Sequence, residues 1–427
     1  MDYIELLETM RARSGSGAKY GLTRMRAILE ALGHPERRFR SWLVAGTNGK
    51  GSTSAMLEAV ARRAGLGRVG LNTSPHLNRL TERVRVDGEE VSPDDLLWAF
   101  AEVEAARARG GAEITFFETM TAMAFVLFAA REVELAVVEV GLGGRLDATN
   151  LLPCEVSAVV SIDLDHTRIL GDTLDAIARE KAQVGRSGRP LVIGPLAPEA
   201  LAAVQDEAAG IGARGVLVSE HLRWSDAADA PATLRHPRGE IALRPALSGA
   251  HQIENAAVAA CVALEGGIDA AAVEAGLSQA QWRGRLEELR RDGRRYVVDS
   301  AHNHAGARAL GQALAAELAA GYDLVIATSG SRDTGGFIRE LAAQAGWPRA
   351  VRACKPRGHR LAEADEVAAR LRPVLPPEVT LEVSASVEEA LSAGQAPLCL
   401  VTGSLFLAGE ALVWLGGEAR DPFATGR

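Results

Sequence analysis

The sequence predicts an α/β protein of two units. Residues 1–284 form an N-terminal, P-loop ATPase-like domain with a mostly parallel sheet, and residues 285–427 a smaller Rossmann-like α/β C-terminal domain. Three observations carry this prediction. Residues 41–65 read as a buried strand, a glycine loop and a helix. Short apolar runs alternate with amphipathic ones along the chain, and the alternation restarts after Gln281–Glu287. Clusters of small and polar residues follow several of the apolar runs, where an open α/β sheet carries its ligands.

The glycine loop is the most informative stretch. Ser41 to Ala45 is a short apolar strand, and Gly46, Gly49 and Gly51 interrupt it with a tight loop. From Ser52 to Ala64 the apolar residues Ala55, Met56, Ala59 and Val60 follow helical spacing, which Gly65 ends. This order presents backbone N–H groups and the single charge of Lys50 to a polyphosphate. The usual phosphate loop is wider between its first glycine and its Gly-Lys pair, and has Ser or Thr directly after the lysine. Here Thr47 and Asn48 alone separate Gly46 from Gly49, and Gly51 follows Lys50. On the nucleotide reading, Lys50 meets the outer phosphates and the Ser52 or Thr53 hydroxyl lies near Mg²⁺. The plainer alternative is a glycine turn with a solvated lysine.

The remaining elements follow in order. Residues 2–13 and 22–33 are expected as amphipathic helices. Arg68 to Leu71 reads as a strand leading into Asn72-Thr-Ser74-Pro75-His76-Leu77, a candidate substrate loop. Arg83–Val86 and Glu89–Val91 flank Asp87-Gly88 as a hairpin. Ser92-Pro93 caps a helix, and Thr115-Phe116-Phe117-Glu118 opens another, to Arg131. Leu135 to Val140 is a strand interrupted by Glu139 and followed by the glycine-rich run 141–150. An acid there suits a Mg²⁺ carboxylate; an exposed edge-strand glutamate is the alternative. Val156 to Ile162 is a strand ending in Asp163-Leu-Asp165-His166, and Thr173 to Val184 a helix holding Glu180-Lys181. Leu191 to Ile193 is a strand, 205–247 small strands and turns, and 249–264 the entry and body of an alanine-rich helix. In the second unit the expected strands are 296–298, 324–327 and 398–401, with helices at 305–320, 336–345 and 362–371. Three polar clusters follow those strands: Asp299–Asn303, Ser329–Thr334 and Thr402–Ser404. Together they predict a second binding surface facing the phosphate loop.

Composition narrows the classes. A net charge of -8 argues against a general nucleic-acid binder, while leaving room for a local cationic pocket. Cys154, Cys261, Cys354 and Cys399 form no Cys-x-x-Cys pair and read as buried reduced thiols. Met1 to Met10 holds three acids and no basic residue, unlike a secretory signal, and the apolar run 120–130 is too short to span a bilayer. A cytoplasmic monomer without membrane or nucleic-acid partners is expected.

Gly46–Ser52, Ser74–Leu77, Glu139–Asn150, His251–Asn255, Trp282–Leu286, Asp299–Asn303 and Thr402–Ser404 together resemble the folylpolyglutamate synthase/dihydrofolate synthase family, within the Mur-type amide ligases. The resemblance implies a Mur-ligase-type ATP-binding domain over 1–284 and a glutamate-ligase domain over 285–427. It implies ATP and Mg²⁺, admits K⁺, and gives L-glutamate and dihydropteroate or folate as substrates. It assigns Thr47, Asn48, Gly49, Lys50, Gly51, Ser52, Thr53, Gln252, Asn255, Arg285 and Asp299 to the nucleotide, and Ser52, Glu139 and His166 to the metal. Lys50, Lys181, His302 and Asp299 take catalytic roles. Ser74, Pro75, His76, Phe117, Arg145, Asp147 and Ser404 face the substrate. Lys181 matches a lysine the family often carbamylates; otherwise it pairs with Glu180 or Asp175.

Three departures stand out. Ser300 and His304 replace a usual Gly and Pro, and Ser331-Arg332-Asp333-Thr334 stands where the family has Asp-Lys-Asp. The last of these bears on substrate handling. Two rivals are a Mur-type ligase on a peptidoglycan precursor and a P-loop ATPase without ligase activity. The first needs a nucleotide-sugar domain, for which the 45 residues before Gly46 are too few.

Overall fold

The computed structural model describes residues 1–14, 21–110, 113–225, 230–330, 332–357, 361–417 and 419–422. Ser331 lies outside them. The first half is built on an eight-stranded sheet of order β4-β3-β2-β5-β1-β6-β7-β8. Its strands are β1 (Arg40–Ala45), β2 (Val69–Asn72), β3 (Val84–Val86), β4 (Glu89–Glu90), β5 (Leu135–Glu139), β6 (Val156–Val159), β7 (Pro190–Ile193) and β8 (Arg214–Leu217). From β2 to β8 neighbours run parallel, and the hairpin β3–β4 adds an antiparallel edge. β1 is apolar on both faces because it is central: Leu43 and Ala45 join one core, Trp42 and Val44 the other.

A small antiparallel sheet follows, made of β9 (Leu222–Arg223), β10 (Thr233–His236) and β11 (Gly239–Ala242). The second half carries a six-stranded sheet of order β12-β13-β17-β14-β15-β16. These strands are β12 (Glu287–Arg291), β13 (Arg294–Val298), β14 (Asp323–Ile326), β15 (Ala350–Ala353), β16 (Thr380–Val383) and β17 (Leu398–Thr402). All pairs are parallel except β12 with β13. Residues 419–422 return to the first half, where Asp421 Oδ2 accepts the Leu80 N–H at 2.8 Å and the Tyr3 hydroxyl at 3.2 Å.

The expected cap forms at Ser92, whose hydroxyl accepts the Asp95 N–H at 3.1 Å. The helix expected from Thr115 is capped by a reciprocal pair that the sequence reading did not name: the Thr115 hydroxyl accepts the Glu118 N–H at 3.3 Å, and Glu118 accepts the Thr115 N–H at 2.8 Å, opening the helix Phe116–Ala130. Several boundaries move. The helix after the phosphate loop starts at Lys50, not Ser52, because Gly49 at φ +80° turns the chain straight into it. β6 ends at Val159, since beyond Val160 the backbone turns to support the phosphate loop. The stretch expected as small strands from 205 begins inside the helix Pro198–Ile211, whose buried face is Ala200, Ala203, Val204 and Ala208. All four cysteines are free and buried, and burial pushes the Cys261 and Cys399 thiols up to about 12. No helix among the described residues is long and apolar enough to cross a membrane.

Candidate active site

The phosphate loop is held from below by the exit of β6. Ser161 Oγ accepts the Asn48 N–H and donates to the Asn48 carbonyl, both at 2.9 Å. The Thr47 N–H donates to the Ser161 carbonyl at 2.8 Å, and the Thr47 hydroxyl bridges to the Asp163 backbone. Thr47 therefore braces the loop through groups the sequence reading gave to the nucleotide. Ser161 is a support that reading missed; its only signal is position, at the exit of the strand beside β1.

Two glycines of the loop are required by contact. A Cβ on Gly49 would lie 2.3 Å from Asn255 Oδ1, and one on Gly51 would lie 2.9 Å from Trp282 Nε1. The unusual glycine after Lys50 thus makes room for the indole of Trp282. On the adjoining helix Ala250–Glu265, Asn255 Nδ2 donates to Gln252 Oε1 at 2.9 Å, and Gln252 Nε2 reaches Ser52 Oγ at 3.4 Å. Ser52 and Thr53 are buried beneath the loop.

Two lysines converge on the loop. Lys50 Nζ donates to the carbonyls of Gly46 at 3.1 Å and Thr47 at 3.2 Å. Lys181 Nζ donates to Gly46 O at 2.9 Å. Lys181 pairs with neither expected acid: Glu180 takes Arg145 at 2.9 Å, and Asp175 takes Arg179 at 3.0 Å. Burial, then the nearby Lys50 charge, brings the Lys181 amine down to about 7.

Glu139 closes the central strand β5 and is buried, which removes the edge-strand alternative. Its Oε2 accepts the Ser74 N–H at 3.0 Å, tying the Asn72–Leu77 loop to the sheet. Burial pushes its carboxyl up, against the pull of Lys50, Ser74, Arg285 and Arg83. His76 Nδ1 accepts the Arg83 Nε–H at 2.8 Å, and the Arg83 guanidinium lies over Phe116 at 4.9 Å. Asp147 spends both oxygens on its own loop, accepting from Thr149 N at 3.0 Å and Leu142 N at 2.9 Å. The Arg145 side chain is drawn to Glu180 and is not in the cleft lining, contrary to its expected substrate role.

The second half faces this loop as expected. The exits of β13, β14 and β17 are neighbours in the sheet and line the same cleft as the phosphate loop, a cavity of about 1610 Å³. Asp299 organises the first exit, accepting the Leu286 N–H at 3.0 Å and the Ala301 N–H at 2.8 Å. Arg285 Nη1 donates to the Gly284 carbonyl at 3.0 Å, and its charge favours the ionised Glu139 carboxylate. Ser404 caps the helix Leu405–Gly416, accepting the Phe406 N–H at 3.2 Å. His302 opens to the cleft, yet burial, then the Arg332 charge, lowers its ring to about 4, so it is neutral at neutral pH. Asn303 Nδ2 donates to Asn48 Oδ1 at 2.9 Å across the cleft.

Among the described residues no group of three or more His, Cys, Asp or Glu is arranged to hold a metal by itself. The proposed donors Ser52, Glu139 and His166 are a hydroxyl, a carboxylate and an imidazole. Such a sparse set fits Mg²⁺, which keeps waters and takes substrate phosphates to complete its shell. His166 stands at φ +51° and is half-exposed to the cleft, with burial lowering its pKa.

The Mur ligase middle domain family matches residues 44–263. The chain is 36% identical over 412 residues to a probable bifunctional folylpolyglutamate synthase/dihydropteroate synthase of Halobacterium salinarum, covering 92% of this chain and 49% of that one. It spans about half the length of that relative. It is 35% identical over 350 residues to the dihydrofolate synthase/folylpolyglutamate synthase of Mycobacterium tuberculosis, covering 75% and 72%. The fold matches a bifunctional folylpolyglutamate synthase/dihydrofolate synthase from Yersinia pestis c092, complexed with AMPPNP and Mn ion, at a TM-score of 0.84 and 29% identity, over 97% and 98% of the two chains. With the family model spanning half of the chain and these relatives matching it over most of its length, this chain belongs to the folylpolyglutamate synthase/dihydrofolate synthase family and carries its Mur ligase middle domain.

Proposed function

We propose that the chain is an ATP-dependent acid–amino-acid ligase that adds L-glutamate to dihydropteroate, to tetrahydrofolate, or to both. The observation that carries this is the single cleft in which the Lys50 loop of one half faces the His302, Arg332 and Ser404 rim of the other. An ATPase without a second substrate needs no such facing rim. The named activities of the relatives support the same reading.

The reaction has two transfers. The substrate carboxylate attacks the γ-phosphorus of ATP, ADP leaves, and an acyl phosphate forms. The glutamate amine then attacks the acyl carbon, phosphate leaves, and an amide forms with loss of a proton. Lys50 and the loop N–H groups hold the phosphates and offset their charge as it shifts towards ADP. Ser52, Glu139 and His166 would hold Mg²⁺, which would supply neutralisation of phosphate charge. Gln252 and Asn255 shape the loop's floor. His302 is neutral and its Nδ1–H donates to the Ser300 carbonyl at 2.9 Å, which leaves Nε2 as a proton acceptor for the incoming ammonium. Ser74, Pro75, His76 and Phe117 form the wall on which the pterin acid rests.

The Lys181 amine, brought down to about 7, is nucleophilic enough to add CO₂ at neutral pH. Carbamylation of the neutral amine forms an N–C bond to CO₂ and releases one proton, leaving a carboxylate beside the metal donors. The two units are taken as residues 1–284 and 285–427, and the working form as a cytoplasmic monomer that accepts K⁺ as a monovalent cation.

A substrate panel tests the reading. Purified protein with ATP, Mg²⁺ and glutamate is offered dihydropteroate, tetrahydrofolate and a muramyl precursor, and phosphate release and product mass are scored. Phosphate release that needs neither acid nor glutamate sinks the ligase reading. A product from the muramyl precursor alone replaces the substrate class.

A further inference from the structure

Asp165 follows β6 at the rim of the first half, and its side chain is buried. Its partners come from the second half. Arg332 Nη1 meets Oδ1 at 2.5 Å, Asn303 Nδ2 donates to Oδ2 at 3.3 Å, and His302 Nε2 lies 3.8 Å from Oδ2. On its own side, Oδ1 also accepts the His166 N–H at 2.7 Å. Arg332 follows β14, while His302 and Asn303 follow β13. Two separate strand exits of one sheet are thus gathered on one carboxylate of the other.

The charge pattern explains why an arginine is needed. Asp165 stands beside the loop that would hold a polyphosphate, and a bare carboxylate there would repel it. The Arg332 guanidinium cancels that charge and cannot lose its proton. It is three-quarters buried, so the pair is weakly screened. Asn303 extends the contact, donating to both Asp165 and Asn48 from one amide nitrogen. Removing Arg332 leaves a buried carboxylate with only neutral donors and loosens the seat of Asn303 and His302 together.

We infer that Arg332 is a positioning residue for the amine-transfer step: its ion pair with Asp165 docks the second half's rim on the phosphate loop, so that the amino acid held there reaches the acyl phosphate. This rests on the ligase reading above. Arg332 itself touches no reacting atom. Its effect is on the register of the two halves, where a displacement of about 1 Å is enough to cost about 10²-fold in rate.

The test compares wild type with Arg332→Lys and Arg332→Ala by three readouts: glutamate kcat and KM, ADP affinity by direct titration, and the radius of gyration of the ligand-free enzyme by small-angle scattering. Arg332→Ala is expected to lose about 10- to 100-fold in kcat/KM for glutamate, to bind ADP within about threefold of wild type, and to be measurably more extended. Arg332→Lys keeps the charge and recovers at least about tenfold of the loss. Unchanged glutamate kinetics in Arg332→Ala overturn the inference, as does a lysine variant no better than alanine, or a loss of ADP affinity equal to the loss of turnover. Identical scattering of wild type and Arg332→Ala also overturns it. A wild-type enzyme that joins glutamate to neither acid sinks the ligase reading instead, and the scattering comparison still judges the docking pair.

Discussion

Lys50 and Lys181 donate to the same acceptor, the Gly46 carbonyl oxygen, at 3.1 and 2.9 Å. Two ammonium groups on one carbonyl repel each other, and the buried one yields. That is the origin of the lowered Lys181 amine, after burial itself.

A pH dependence of stability follows. An unfolded lysine titrates near 10.5 and Lys181 in the fold at about 7, so between those values the unfolded chain binds a proton that the folded chain does not. Stability therefore rises with pH across that window, by up to about 1.4 kcal/mol per unit from this group. Below about pH 7 the penalty is fully present. Denaturant unfolding at pH 7, 8 and 9, with CO₂ removed, is expected to show wild type gaining on Lys181→Met. Parallel profiles for the two proteins would contradict it.

Carbamylation is tested separately. Lys181→Ala should lose activity that a small carboxylic acid partly restores, because the acid replaces the missing carboxylate. A plain amine at residue 181 in the fully active enzyme, seen by intact mass, removes the idea.

Lys50→Ala should lower ATP turnover by at least about 10²–10³-fold, the usual cost of removing one donor to a charge that develops in the transition state. The circular dichroism should stay that of wild type, since the hydrogen bonds that Lys50 donates go to the loop carbonyls of Gly46 and Thr47. Wild-type turnover would sink the phosphate-loop assignment.

Gly51→Ala places a Cβ 2.9 Å from Trp282 Nε1. It should cost about 1–3 kcal/mol in denaturant unfolding, as overpacking does. Trp282→Leu in the same chain should recover part of that cost, so the two changes are expected to be non-additive. Strict additivity would show that the indole does not set the glycine.

Asp421→Ala should destabilise by about 1–3 kcal/mol, because it leaves the buried Leu80 N–H without its acceptor. Asp421→Asn keeps an acceptor and should cost less. Equal losses would point to charge rather than the hydrogen bond.

How much of this was legible in the sequence depends on range. The phosphate loop, the Ser92 cap and the hairpin at Asp87-Gly88 are local patterns, and each formed, with the helix after the loop starting two residues early. The three rim clusters were readable because each follows an apolar run. The helix Pro198–Ile211 was missed because its buried face is mostly alanine, which gives a weak periodic signal. β15 was missed because it carries Arg352, a buried charge made tolerable by two partners distant in the chain, Glu382 at 2.8 Å and Asp323 at 3.2 Å. The pairing of Lys181 and of Arg332 was hidden for the same reason: Gly46 and Asp165 are far away in the chain, and nothing in local spacing names a distant partner.

The position of β1 between β5 and β6 has a consequence during synthesis. The register pairs Arg40 with Leu135 and Trp42 with Val156, so neither side of β1 has its neighbour until those residues leave the ribosome. At about 5–20 residues per second, that is a wait of several seconds or more. Through it the apolar run Trp42 to Ala45 stays an unpaired strand, the kind of segment that chaperones bind and that aggregates when they do not. The strand that aims the phosphate loop is therefore also the segment by which a nascent chain is most easily lost.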